Sequence, residues 1–114
     1  MEFCYIHNPK MVFTKELVKQ GFMGRDFGNG QLFTKTIHNN LHRFIESRDH
    51  ITFINGLVYT SVDEPVHEKD LYALEGEFSG ITAHKNSKEV LFYNNPVASS
   101  KIFYYQQEDS FYIS

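Results

Sequence analysis

An α+β domain built mainly from antiparallel strands is the fold class that this 114-residue sequence predicts, and three observations carry the prediction. Aromatic residues are plentiful, with 11 Phe and 7 Tyr but no Trp, and they fall in short runs with Ile, Val and Thr, the side chains that suit a pleated, half-buried surface. Residues 71–114 alternate regularly and are punctuated by polar turn pairs such as Asn86-Ser87 and Glu108-Asp109. Strands joined by turns that short must pair antiparallel, because a parallel crossover needs a dozen residues or more. One domain is expected over residues 1–114, with an irregular N-terminal part at 1–50 and the antiparallel β-core at 51–114.

The elements follow in order. Glu2 to His7 reads as a strand, stopped by Asn8-Pro9. Thr14 is a plausible N-cap for a short helix over Lys15 to Gln20, with Leu17 and Val18 on its apolar side and Gly21 as terminator. The stretch from Gly21 to Gly30 is so rich in glycine that it reads as a loop. Leu32 to Ile37 alternates as a strand, His38-Asn39-Asn40 as a turn, and Leu41 to Glu46 as a strand in preference to a helix. After the polar turn at 47–50, Ile51 to Ser61 is a strong strand signal interrupted at Asn55-Gly56 by a tight turn or a bulge. Residues 61–70 form a polar connector, and the strands Glu77 to Lys85, Glu89 to Asn94, Lys101 to Gln107 and Ser110 to Ser114 complete a meander.

Composition narrows the function classes. A net charge of −3 and a pI near 6.0 leave no basic footprint for nucleic acid. The single cysteine, Cys4, excludes an internal disulfide framework, and no Cys/His spacing suits zinc. Neither a secretory leader nor a run of about 20 apolar residues is visible, so a cytoplasmic protein is expected. Plentiful Phe, Tyr, Ile, Lys and Asn is a usage bias of AT-rich genomes, among them many phages. Six histidines, at 7, 38, 42, 50, 67 and 84, invite a metal reading, but only His38 and His42 have i, i+4 spacing and no glutamate motif accompanies them. Ordinary surface histidines are the expectation.

Two blocks carry a further signal. The first is His50-Ile-Thr-Phe-Ile-Asn-Gly-Leu-Val-Tyr59. The second is Leu74-Glu-Gly-Glu-Phe-Ser-Gly-Ile81, followed by Glu89-Val-Leu-Phe-Tyr-Asn-Asn-Pro-Val-Ala98, Lys101-Ile-Phe-Tyr-Tyr105 and the final Phe111-Tyr-Ile-Ser114. In order and spacing these blocks resemble the glutaminase domain of asparagine synthetases and other class II glutamine amidotransferases, a branch of the N-terminal-nucleophile hydrolases. The resemblance implies a truncated version of that family's β-sandwich with few helices.

The resemblance also implies a cysteine at the mature N-terminus, whose α-amine is the base that activates the thiol. Here Met1-Glu2-Phe3 precedes Cys4, and a buried structural cysteine is the better reading of the residue itself. Asn55 and Gly56 match the family's oxyanion-hole pair; on their own they are a turn or bulge. Leu57 stands where the family has Glu, and Asn95 and Ala98 stand where it has Asp and Gly. Arg25, in Gly24-Arg25-Asp26, matches part of a family loop and is a candidate for a substrate carboxylate. Asp63 and Asp70 are candidates for the missing substrate-binding acid, with solvated connector charges as the simpler reading.

The expected function is therefore a non-catalytic amidotransferase-like module that acts by protein binding, as a partner, regulator or phage-type inhibitor or decoy. Homodimerisation through an exposed sheet face or edge is part of that expectation. The alternative is a glutamine-hydrolysing enzyme using Cys4 after N-terminal processing or together with a partner chain. No cofactor, metal, nucleic acid or membrane is expected.

Overall fold

The computed structural model describes residues 3–7, 11–35, 42–87, 89–94, 104–107 and 110–113. Its elements are β1 (Phe3–His7), α1 (Met11–Lys19), β2 (Met23–Phe27), β3 (Gly30–Thr34), β4 (His42–Glu46), β5 (His50–Val58), a 3-10 helix (Glu68–Ala73), β6 (Gly76–His84), β7 (Val90–Asn94), β8 (Tyr104–Gln107) and β9 (Ser110–Ile113). The fold class is α+β and mainly antiparallel β, as the sequence predicts. Met1–His38 together with Ile102–Ser114 form one compact unit, and Asn39–Lys101 form a second.

The first unit is a five-stranded sheet in the order β2-β3-β1-β9-β8, every neighbour antiparallel. Strand β1 is buried along its whole length, and it hydrogen-bonds β3 on one edge and β9 on the other. Helix α1 contributes Leu17 to a cluster with Cys4, Ile6, Phe22 and Phe33. Its end shows why the helix stops there: Gly21, at φ 94°, turns the chain left-handed. The Gly21 amide then donates to the Val18 carbonyl at 3.1 Å and the Phe22 amide to that of Leu17 at 3.0 Å. This is the Schellman arrangement, and its usual apolar contact is supplied by Phe22 and Leu17.

Two expectations are corrected in this unit. The helix begins at Met11, so Thr14 lies inside it and is not its N-cap; no glycine or proline between Met11 and Gln20 prevents the earlier start. The glycine-rich stretch 21–30 is not a loop, because β2 pairs residue for residue with β3 across a two-residue turn at Gly28-Asn29. Gly24 and Gly30 serve close packing instead: a Cβ at Gly24 would lie 2.6 Å from the Phe33 ring, and one at Gly30 2.5 Å from the Tyr5 hydroxyl. Within 1–50, β2 is thus added to the strands and the helix already expected there.

The second unit is a four-stranded meander, β4-β5-β6-β7. The expected meander did not extend further, since β8 and β9 belong to the other sheet, where β9 supplies the second neighbour of β1. Local turn signals report that β8 and β9 form a hairpin but not which sheet receives it. Asn55-Gly56 is neither a turn nor a bulge, for the β5–β6 register runs unbroken from His50↔His84 to Val58↔Gly76. The residue type is explained by φ 126° at Gly56 and by the backbone of Glu77 and Phe78, which leaves no room for a Cβ.

Alternation along β5 and β6 separates two faces. Ile51, Phe53, Ile81 and Ala83 are buried on one. On the other, Ile54, Phe78 and Tyr93 pack with Val62 and Val66 of the connector 59–75, flanked by Ile45, Val58, Leu71, Leu74 and Leu91. The connector is thus a strap laid over a sheet face, not a solvated link. Arg43 holds it by donating from Nη2 to the Val62 carbonyl at 3.0 Å. Its two ends are closed by the Tyr59 amide on the Glu75 carbonyl at 2.7 Å and by the Thr60 hydroxyl, which bridges Ala73 and Glu75. The turns expected at 8–9, 38–40, 95–100 and 108–109 lie outside the described residues.

Candidate functional site

The strap brings together three side chains that are far apart in sequence. His50 opens β5 and stands directly across from His84, the last residue of β6. His67 arrives from the strap, and its ring meets that of His50 edge-to-face at 4.6 Å between centroids, while the His84 ring meets His50 edge-to-face at 4.7 Å. The three rings border a cavity of about 190 Å³ whose lining also includes Glu68, Glu89 and Thr82.

Each histidine is fixed locally. The β4–β5 turn closes with the Ser47 amide on the His50 carbonyl at 2.9 Å and the His50 amide on the Ser47 hydroxyl at 3.2 Å. Lys85 braces that turn, its Nζ 2.7 Å from the Ser47 carbonyl oxygen and 2.5 Å from the Glu46 carboxylate. The amide of His67 donates to Asp70 Oδ2 at 3.0 Å, a capping box at the start of the 3-10 helix. His84 accepts the Asn86 amide at Nδ1, 3.0 Å away, so its neutral ring carries the proton on Nε2.

A buried polar relay lies two residues along β5 and β6, on the same face as His50 and His84. The hydroxyls of Thr52 and Thr82 share a hydrogen bond at 2.7 Å, Thr82 reaches the Tyr93 hydroxyl at 3.1 Å, and Thr52 accepts the Val66 amide at 2.9 Å. Burial pushes the Tyr93 phenol up to about 12, against the opposing pull of its threonine hydrogen bonds. His50 is shifted the other way. Partial burial lowers its pKa first, then the charges that His67 and His84 can carry, while Asp49 and Glu89 offset part of the effect. The arrangement favours neutral imidazole. Among the described residues, no three His, Cys, Asp or Glu side chains form a group that could hold a metal ion.

The residues singled out by the sequence are distributed differently. Cys4 lies in the middle of β1, paired with Phe33 and fully buried, with its Sγ 3.9 Å from the Tyr5 carbonyl oxygen. Burial raises its thiol to about 11. Asn55 and Gly56 are in β5, in the other unit, opposite Ser79 and Phe78. Arg25 is exposed in the middle of β2 opposite Leu32, so Gly24-Arg25-Asp26 is strand and not a substrate loop. Asp63 is exposed on the strap, and Asp70 is engaged as the cap of His67. His42 is in strand β4, its ring against Phe53 at 5.1 Å, which removes the helical spacing with His38; His38, Asn95 and Ala98 lie outside the described residues.

Sequence reasoning missed the histidine trio because His67 joins the pair only when the strap folds back. The cross-strand pair itself follows once Ile51–Ile54 is set antiparallel to Gly80–Ala83. No helix among the described residues is long and apolar enough to cross a membrane. No family model, curated protein or solved structure matches the chain.

Proposed function

We propose that the chain is a non-catalytic module, amidotransferase-like in its C-terminal motifs, that acts in the cytoplasm by binding a protein partner. The observation that carries this reading is the environment of Cys4. A thiolate is the nucleophile that cysteine chemistry needs, and this thiol sits under Leu17, Phe22 and Phe33 with its pKa raised to about 11. An enzyme of the resembled class needs a cysteine at an accessible terminus with the opposite shift.

Side chains available to a partner support the binding half of the proposal. Tyr59 and Tyr72 are 71% and 96% exposed, and Leu57 and Phe44 are also exposed, all within the unit of the four-stranded sheet. Exposed tyrosines are favoured anchors in protein interfaces because they bury large area at small entropic cost. A second copy of the chain is the simplest such partner. Two measurements test the reading. Sedimentation and affinity capture with the full chain should show an assembly that Tyr59→Ser/Tyr72→Ser weakens, and incubation with glutamine should release no glutamate. Glutamate release abolished by Cys4→Ala would overturn it.

A further inference from the structure

We infer that His50, His67 and His84 form a proton-operated latch that holds the strap 59–75 on the four-stranded sheet and releases it on acidification. The inference is independent of the binding-module reading, since it concerns only how one unit of the chain answers to pH.

The geometry supports it in three steps. The rings are packed edge-to-face with His50 in the middle, 4.6 Å from His67 and 4.7 Å from His84. Such packing suits neutral imidazoles, whereas two cations at this separation repel one another. His84 already uses Nδ1 to accept the Asn86 amide, so a proton arriving at that nitrogen must displace the hydrogen bond that shapes the β6–β7 turn.

The strap is tied close to the trio. His67 follows Val66, whose amide reaches Thr52 Oγ1 at 2.9 Å, and Thr52 lies on the same face of β5 as His50. Displacing His67 therefore strains the Val66–Thr52 bond and draws out Val66, which is 2% exposed. Release uncovers Ile54, Phe78 and Tyr93, the sheet side of that apolar cluster.

Acidic groups face His50 from both neighbouring segments. The β4–β5 turn presents Asp49 and the β6–β7 segment presents Glu89, and both favour a proton on His50. Glu68 of the strap also lines the cavity. Lys85 is turned away onto Glu46 and the Ser47 carbonyl. These acids stabilise a first positive charge but leave a second one facing its neighbour at ring-contact distance. A metal ion is the other occupant to consider. Neither the donor geometry of the described residues nor the His84 tautomer is arranged for one.

Amide hydrogen exchange of the full chain, corrected for the intrinsic pH dependence of exchange, tests the latch. Between about pH 7.5 and about pH 5, peptides covering 60–73 should lose roughly tenfold in protection, while peptides covering β1 to β3 keep theirs. His67→Phe, which keeps an aromatic ring without a proton site, should remove most of the pH response. His50→Gln provides a second variant should the first fail to fold. Uniform loss of protection across both units, no loss at all, or a gain in strap protection on adding zinc ions alone at about pH 7.5 would each overturn the latch.

Discussion

The hydroxyls of Thr52 and Thr82 meet at 2.7 Å across the β5–β6 ladder, in a position where neither side chain is open to solvent. Two threonines opposite one another in a sheet often pair in this way. Here the pair also serves the Val66 amide on one side and the Tyr93 hydroxyl on the other, so four polar groups satisfy each other inside an apolar cluster.

Thr52→Val should therefore cost more than one hydrogen bond. It leaves the buried Val66 amide without its acceptor, a penalty of about 1–3 kcal/mol, read as a lower midpoint in urea unfolding. Thr82→Val should cost a similar amount by isolating Tyr93. The double variant should cost less than the two single ones together, because the bond they share is lost once. Full additivity would show that the relay does not act as a unit.

The ladder ends in a second arrangement that residue type controls. Gly56 has φ 126°, and a Cβ there would run into the Glu77 carbonyl oxygen; a Cβ at Gly76 would meet that of Leu57. Gly56→Ala should destabilise the chain by at least about 3 kcal/mol. Gly21→Ala is the informative comparison, because φ there is 94° with no atom within 4 Å of the added Cβ. Its cost should stay near 1 kcal/mol. Equal effects in thermal unfolding would mean that the conformation alone, and not the close backbone approach, accounts for Gly56.

Much of this was legible from neighbouring residues alone. The β-branched and aromatic run Ile51-Thr52-Phe53-Ile54 marks a strand on its own, and Glu77 to Lys85 marks another, but their register is set by the pairing itself. What remained hidden depends on contacts distant in sequence. Nothing local marks β9 as the neighbour of β1, because the exposed edge of a hairpin can join any sheet whose edge is open. Gly24 and Gly30 look like loop glycines until Phe33 and Tyr5 are found against them. The strap reads as polar because Asp63, Glu64 and Glu68 outnumber Val62 and Val66, yet the two valines decide its position. The candidate site depends on that fold-back, so it was less legible than the strands beneath it.

Cys4 offers a direct chemical check. Its thiol is shielded, and its pKa of about 11 leaves little thiolate near neutral pH. A thiol reagent at about pH 8 should label the folded chain much more slowly than the urea-unfolded chain. Cys4→Ser should cost about 1–3 kcal/mol by burying a hydroxyl beside Ile6 and Phe33, whereas Cys4→Ala should cost less. Rapid labelling of the native protein would contradict the packing of β1 beneath α1.

The pH dependence of stability should show two limbs of opposite origin. On the acid side, His50 has its folded pKa lowered below 6.5. The folded state therefore binds fewer protons than the unfolded state, the contribution is fully present above pH 6.5, and it is lost as pH falls through the folded value. On the alkaline side, burial raises Cys4 from 9.0 to about 11, and both Tyr5 and Tyr93 from 10.0 to about 12. Their contributions are present below the unfolded values and are lost as pH rises through the folded ones. Urea midpoints measured across pH should thus be level from about 7 to about 9 and fall on both sides. His50→Gln should flatten only the acid limb, and Tyr93→Phe, which also removes a partner of Thr82, should flatten only part of the alkaline one. An acid limb that survives His50→Gln unchanged would assign it to other groups and detach it from the histidine trio.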